Sequence, residues 1–475
     1  MFRCRADGAT IRVPHVWERI VGGEHATFAL RADYQAHLRR AHEQLGFESL
    51  RFHGLLSDDV GVVIRQGSRR EYSWYNVFRI WDSLLALGVR PFVELSFMPG
   101  ELASGHATVF SYRGNVTPPR NYRDWGRLNG ALVRAAVDRY GADEVAEWHF
   151  EVWNEPNLRA FWRGSQSDYF RLYREAALAI KDVDSRFRVG GPATAKNEWL
   201  EEFIGYCDRN DVPVDFVSTH HYPTDLAGPT PLDTRAVLAA TPRDVLRQQA
   251  QDARRRAGHR QLFYTEWNSS SNARDPLHDE PYAACFAVRA CLDAALSVDA
   301  YSFWVFSDLF EESHLPSVPY HGGFGLLTLY GTPKPVYRAF ELLRRLGEDM
   351  LAVVDGIHET MDARVFVDRA GASAMVTNFA MPGQNISSER VVLAIETDRD
   401  PASVTLTVID EGSANAKPVW VEMGSPTYPT AAQLAELGVA SELQERVLTW
   451  RRQGQAVEVE WTMQPYSVAL ARLAW

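Results

Sequence analysis

Over its first two thirds the chain alternates short apolar runs with longer stretches in which apolar residues recur every three or four positions. That rhythm is the signature of strands alternating with amphipathic helices around a parallel sheet. The strand-like runs lie at 16–21, 49–53, 90–97, 148–153, 188–191, 215–220, 261–266 and 300–306. Helical patterns follow at 33–45, 74–87, 121–140, 167–183, 197–210, 242–257, 281–297 and 334–346. Several open on cap-type residues, Asp33, Ser73, Ser167 and Thr241, the last followed by Pro242 at the first helical position. Eight strand–helix pairs are the count of an α/β (β/α)8 TIM barrel, here over 15–346, and such barrels build their sites at the carboxyl ends of the strands. An open doubly wound sheet is the alternative, but no glycine-rich phosphate loop follows the first run.

Beyond residue 346 the period changes. Runs at 361–367, 374–380, 389–394, 403–409, 456–461 and 467–473 alternate in twos between polar turns such as 381–385, and helical signal is sparse apart from 431–437. The expectation is an accessory C-terminal β-sandwich over 347–475, with residues 1–14 adding an N-terminal strand, because Thr10-Ile11-Arg12-Val13 alternates polar with apolar.

Composition narrows the partners. The 475 residues are 46% hydrophobic, enough for a large core and a smaller second unit. A net charge of −11 with acids and bases interspersed offers no basic stripe to displace phosphate counterions, so neither nucleic acid nor an anionic membrane is expected as partner. No run approaches the ~20 apolar residues of a membrane span, and the charged start at Arg3, Arg5, Asp7 and Arg12 does not read as a secretory leader. Four scattered cysteines without CxxC spacing read as buried free thiols, which suits a cytoplasmic location. The sequence leaves homo-oligomerisation open.

Two segments carry candidate chemistry. Trp148-His149-Phe150-Glu151-Val152-Trp153-Asn154-Glu155-Pro156-Asn157 closes the fourth strand, and Leu262-Phe263-Tyr264-Thr265-Glu266-Trp267-Asn268 closes the seventh. In a closed barrel these ends face each other across a small mouth, where two carboxylates can grip one sugar ring. Glycosidic cleavage requires such a pair, one carboxylic acid to protonate the leaving oxygen and one carboxylate to attack or shield the anomeric carbon. A general acid needs its pKa raised from ~4.3 toward ~6, by desolvation and a neighbouring negative charge. Trp153 and Trp162 are placed to supply the first, and Glu266 the second. No His-Glu-x-x-His and no zinc spacing of cysteine and histidine occurs, so no metal or other cofactor is expected. Gly22-Gly23 and Gly322-Gly323 read as turns.

Together, Trp-Asn-Glu-Pro-Asn at 153–157 and Thr-Glu-Trp-Asn at 265–268 resemble the acid/base and nucleophile segments of the clan of (β/α)8 retaining glycosidases. Three further segments narrow the resemblance to family 39 glycoside hydrolases, the β-xylosidases: Arg51-Phe52-His53-Gly54-Leu55-Leu56-Ser57-Asp58-Asp59, His220-His221-Tyr222-Pro223, and Phe303-Trp304-Val305-Phe306-Ser307-Asp308-Leu309-Phe310-Glu311-Glu312. The resemblance runs from about Trp17 to Phe340. It implies Glu155 as acid/base, Glu266 as nucleophile and Asn154 on the sugar 2-hydroxyl, with His53, His220, Tyr222, Trp304 and Glu311 lining the glycone pocket.

Each role also makes chemical sense. The Tyr222 phenol can donate to Glu266, Trp304 offers a flat face to a pyranose, and His53 and Glu311 can bind hydroxyls. His221 is expected to point away from its neighbour, and Phe110, Phe161 and Trp162 are candidate aglycone contacts. The implied activity is exo-acting retaining hydrolysis of xylo-oligosaccharides, with carboxyl groups ~5–5.5 Å apart. An α-L-iduronidase or α-L-arabinosidase on the same machinery is the nearest alternative, and a non-catalytic carbohydrate-binding protein a more distant one.

Overall fold

Each of the eight strands is buried along nearly its whole length, which a parallel sheet achieves either with helices on both faces or by covering one face with helices and closing the other on itself. The computed structural model, which describes residues 1–67, 69–226, 233–312 and 314–475, shows that closure. Strands Val21–His25, Ser49–His53, Arg90–Leu95, His149–Val152, Arg188–Ala195, Phe216–His221, Gln261–Trp267 and Ala300–Phe303 follow one another around a closed, all-parallel barrel. Pairing of Phe303 with Val21 joins the eighth strand to the first.

The helical expectations hold with small shifts at the ends. Helix Gln166–Val183 is opened by a reciprocal capping box between Ser165 and Asp168 rather than by Ser167. Helix Val245–Ala257 starts three residues after Pro242, and Thr241 instead ends the short helix Thr234–Ala240. Helix Pro281–Ala294 is buried on almost every side. It is wedged between the barrel and strands Gly371–Asn378 and Ser467–Ala474, so its sequence lacks a polar face.

The first strand lies about five residues later than its apolar run suggests. Val16, Trp17 and Ile20 are buried, but Ile20 joins Phe92, Phe216, Phe263 and Ala300 in a plug across the barrel's interior. Rings of Phe216 and Phe263 stack there at 4.9 Å. The strand that follows contains Gly22 and Gly23, which are not turn residues. A Cβ at Gly22 would sit 2.5 Å from the Trp304 ring and one at Gly23 2.2 Å from the Tyr34 hydroxyl, so only glycine lets those side chains approach.

C-terminal to the barrel, the order of strands is Phe2–Arg5, Glu389–Glu396, Ala456–Met463, Trp450–Gln453 in one sheet. A seven-stranded sheet runs Thr10–Arg12, Asp349–Leu351, Met361–Val367, Gly371–Asn378, Ser467–Ala474, Ser403–Ile409, Glu445–Val447. The two enclose one apolar core that includes Phe2, Val365, Leu393, Leu406, Val459 and Leu473. The N-terminus therefore supplies two strands, one to each sheet, where the sequence suggested one. Phe2–Arg5 pairs in parallel with residues 393–396, a partner no local pattern reveals.

Candidate active site

The fourth strand ends at Val152, and the chain then turns sharply. Trp153 and Glu155 both adopt positive φ, 75° and 41°, a conformation that costs about 1–3 kcal/mol for a residue with a side chain. Neighbouring contacts hold it. The Trp153 indole donates to the Phe161 carbonyl at 2.9 Å, and the Glu155 amide donates to the Ala193 carbonyl at 2.8 Å. Glu266, by contrast, sits inside the seventh strand, and a shift in register against the sixth strand between Thr219 and His220 places it opposite His220. Carboxylate oxygens of Glu155 and Glu266 and a ring nitrogen of His220 all lie within 4.8 Å of one another.

Beneath this pair lies a buried guanidinium. Arg51, from the second strand, donates Nε to Glu151 at 2.6 Å, Nη1 to Glu266 at 2.8 Å and Nη2 to the Asn154 side-chain oxygen at 3.0 Å, with Glu94 2.8 Å away. Burial works against its charge, but Glu151, Glu94 and Glu266 outweigh that penalty and hold Arg51 protonated. Asn154 is oriented as a result: its oxygen is committed to Arg51, which leaves its amide N–H groups for a ligand. Tyr222 donates its phenol to the other Glu266 oxygen at 3.0 Å. Glu266 thus accepts from two donors, one charged, which fixes its direction.

Glu155 lives differently. Burial dominates and pushes its carboxyl up to about 7, with Glu94 adding to the rise and His53, Arg51 and Lys196 opposing it. The negative neighbour that counts is Glu94 rather than Glu266, whose charge faces Arg51. His220 contacts Glu155 through Nδ1 at 3.0 Å and Thr265 through Nε2 at 3.1 Å. Burial pushes His220 down to about 4, so it is a neutral imidazole near neutral pH.

A cavity of about 680 Å³ opens above the carboxylates. Its lining includes His53, Asn154, Glu155, Tyr222, Glu266 and Trp304, six of the residues the sequence singled out. His53 donates from Nδ1 to Glu94 at 2.7 Å and packs 4.6 Å from the Trp304 ring. His220 does not line the cavity. It is fully buried below the floor, because both ring nitrogens already have protein partners.

Glu311 is not in the cavity wall either: its carboxylate turns to His25 at 3.2 Å. Glu312 takes the lining position, 3.6 Å from His53 Nε2, and burial among Glu24, Glu266 and Glu155 raises its carboxyl well above the usual range. The segment is a loop, so strand alternation does not govern which of the two acids points inward. His221 points away as expected, its Nε2 on the Tyr301 hydroxyl at 2.8 Å. Phe110 and Phe161 line the cavity, whereas Trp162 is core, its indole bonded to the Ser165 carbonyl and its ring against Trp153.

Arg51, Glu94, Glu151 and Thr265 are site residues that the sequence motifs alone do not single out. The signal was present: Val93-Glu94-Leu95 and Phe150-Glu151-Val152 each bury an acid inside an apolar strand, which demands a partner.

A closed (β/α)8 barrel whose fourth and seventh strands bring two glutamates together under a sugar-sized cavity defines a glycoside hydrolase. The comparisons agree and sharpen the class. A family model described as glycosyl hydrolases family 39 matches residues 3–457, and the chain belongs to that family. It is 44% identical over 443 residues to a β-xylosidase of Caldicellulosiruptor saccharolyticus, covering 92% of this chain and 91% of that protein. Identity is 37% over 453 residues to a β-xylosidase of Geobacillus stearothermophilus, at 92% and 88% coverage. The crystal structure of a monomeric β-xylosidase from Caulobacter crescentus CB15 superposes with a TM-score of 0.86 at 30% identity, covering 100% of this chain and 99% of that one.

Proposed function

We propose that this glycoside hydrolase is an exo-acting retaining β-D-xylosidase that releases xylose from the non-reducing end of xylo-oligosaccharides. One observation carries the mechanism: oxygens of Glu155 and Glu266 lie within 4.8 Å. Retaining enzymes hold their carboxyl groups ~5–5.5 Å apart, whereas inverting enzymes need ~6.5–9.5 Å to admit a water between sugar and base. The sugar identity is supported by the two relatives named β-xylosidase that align along nearly the whole chain.

In this reading Glu266 attacks the anomeric carbon while the Glu155 proton passes to the leaving oxygen. Water then enters, gives its proton to Glu155 and displaces Glu266 with a second inversion. Arg51 and Tyr222 aim the nucleophile, the free amide of Asn154 donates to the 2-hydroxyl, and Trp304 carries the apolar face of the ring. His53 and Glu312 bind the remaining hydroxyls. Glu312, held protonated, is able to donate as well as accept.

Residues 15–346 act as the catalytic unit, and 347–475 with the N-terminal strands as an accessory β-sandwich. A cytoplasmic setting is supported by four cysteines that are all buried and unbridged. Among the described residues no helix is long and apolar enough to cross a membrane.

Rates on nitrophenyl β-xyloside, α-arabinoside, β-glucoside and α-iduronide test the substrate, with Glu266→Ala as the blank. The β-xyloside is expected to lead by at least ~10-fold, since a pocket that pairs each hydroxyl rejects mismatched sugars. Equal rates, or a lead for the iduronide, would overturn the assignment.

A further inference from the structure

Four polar groups form a chain that runs from the barrel interior to the cavity floor, and solvent reaches only its last member, Glu155. Glu151 Oε2 is held by Arg51 at 2.6 Å, its Oε1 accepts from the Thr265 hydroxyl at 2.8 Å, the Thr265 oxygen meets His220 Nε2 at 3.1 Å, and His220 Nδ1 meets Glu155 at 3.0 Å. All of Glu151, Thr265 and His220 are fully buried, so no water rearranges the proton positions.

With His220 held neutral by burial, the protons along this chain have one arrangement. Glu151, ion-paired with Arg51, only accepts. A threonine hydroxyl has a single proton, and it must go to Glu151, because otherwise two bare oxygens would face each other at 2.8 Å. Thr265 is then an acceptor toward His220, and Nε2 must carry a hydrogen. Because burial keeps this imidazole neutral, hydrogen on Nε2 leaves Nδ1 bare, and Nδ1 accepts and does not donate. The group opposite Nδ1 is Glu155, so the hydrogen between them belongs to Glu155.

We infer that Thr265 is a positioning residue that fixes His220 in its Nε2–H tautomer and thereby keeps the proton on Glu155. This rests on the assignment of Glu155 as acid/base, and it adds what the two-carboxylate scheme lacks, a hydrogen-bond reason for the acid to be loaded.

The arrangement serves both half-reactions. In the first, the Glu155 proton moves to the glycosidic oxygen as the bond from that oxygen to the anomeric carbon breaks and the bond from Glu266 to that carbon forms. Glu155 is left as a carboxylate facing the Nδ1 lone pair, a repulsion that raises its basicity. In the second, a water oxygen bonds to the anomeric carbon, its proton returns to Glu155, and the bond to Glu266 breaks. The protein ends as it began.

Other groups also face Glu155 and stay in place when Thr265 is changed. His53, Arg51 and Lys196 favour its anion, and Glu94 disfavours it. Asp225, Glu266 and Glu312 are the further carboxyl groups nearby, with Tyr222 between two of them.

Two readouts test the inference. Long-range proton–nitrogen NMR of the enzyme labelled with ¹⁵N-histidine, with His220 assigned by its loss in His220→Asn, is expected to show His220 neutral with hydrogen on Nε2 near neutral pH. In Thr265→Val the lock is gone, and an Nδ1–H tautomer can donate to ionised Glu155. The alkaline limb of kcat/KM on a nitrophenyl β-xyloside is then expected to move down by about one pH unit. Thr265→Ser, which keeps the hydroxyl, restores it.

A wild-type His220 with hydrogen on Nδ1, or a limb that stays put in Thr265→Val, overturns the inference. If the valine variant does not fold, the wild-type spectrum still decides. An enzyme with the expected tautomer but no β-xyloside activity would refute the substrate assignment and leave the proton chain intact.

Discussion

The interior of this barrel has two layers built from the same eight strands, and they differ in almost every respect. Toward the amino ends of the strands, Ile20, Phe92, Phe216, Phe263 and Ala300 form a plug of apolar side chains. Toward the carboxyl ends, Arg51, Glu94, Glu151, His53, His220, Glu155 and Glu266 fill the same cylinder with charge and hydrogen bonds. The lower layer is held by area removed from water, and it tolerates any partner of the right shape. Every member of the upper layer depends on a named neighbour. Stability and chemistry are thus separated along the barrel axis, as the placement of TIM-barrel sites leads one to expect.

Substitutions can break that contrast. Removing the proposed nucleophile in Glu266→Ala is expected to cost about 10⁵-fold in kcat while the chain still folds, as judged by steady-state kinetics beside circular dichroism. Glu155→Ala should lose about 10²–10⁴-fold, less on nitrophenyl substrates whose leaving group needs no proton, and azide should recover turnover by replacing the base.

The lower layer should respond in the opposite sense. Phe216→Ala is expected to lower unfolding free energy by about 3–5 kcal/mol in denaturant titration, with kcat/KM per folded molecule unchanged.

Two smaller effects sharpen the upper layer. As the proposed acid, Glu155 must carry its proton, and burial pushes its carboxyl up to about 7, so kcat/KM should decline once pH passes that value. The decline is about tenfold per further unit in a pH–rate profile. Glu312→Gln should raise KM for the β-xyloside by about tenfold, against less than about twofold for Glu311→Gln, because only the former contacts the cavity.

How far the chain announces all this depends on the physical range of each signal. Helices and barrel strands follow from local periodicity, and Glu155 and Glu266 stand out as acids at the ends of aromatic strands. The first strand is misjudged because the apolar run 16–21 belongs partly to the plug, while the strand itself is rich in glycine to admit Trp304 and Tyr34. Glu311 is mistaken for Glu312 because a loop has no period. The role of Thr265 is invisible without coordinates, since it depends on Glu151 and His220, which arrive from strands 114 and 45 residues away in sequence.

The central claim is that Glu155 and Glu266 act on one anomeric carbon, with Glu266 bonding to it. Incubation with a 2-deoxy-2-fluoro-β-xylosyl substrate bearing a good leaving group, followed by peptide mass spectrometry, tests it directly. The account predicts a single fluoroxylosyl ester on Glu266; a chain that turns over β-xylosides yet carries no label, or carries it on another residue, would contradict it.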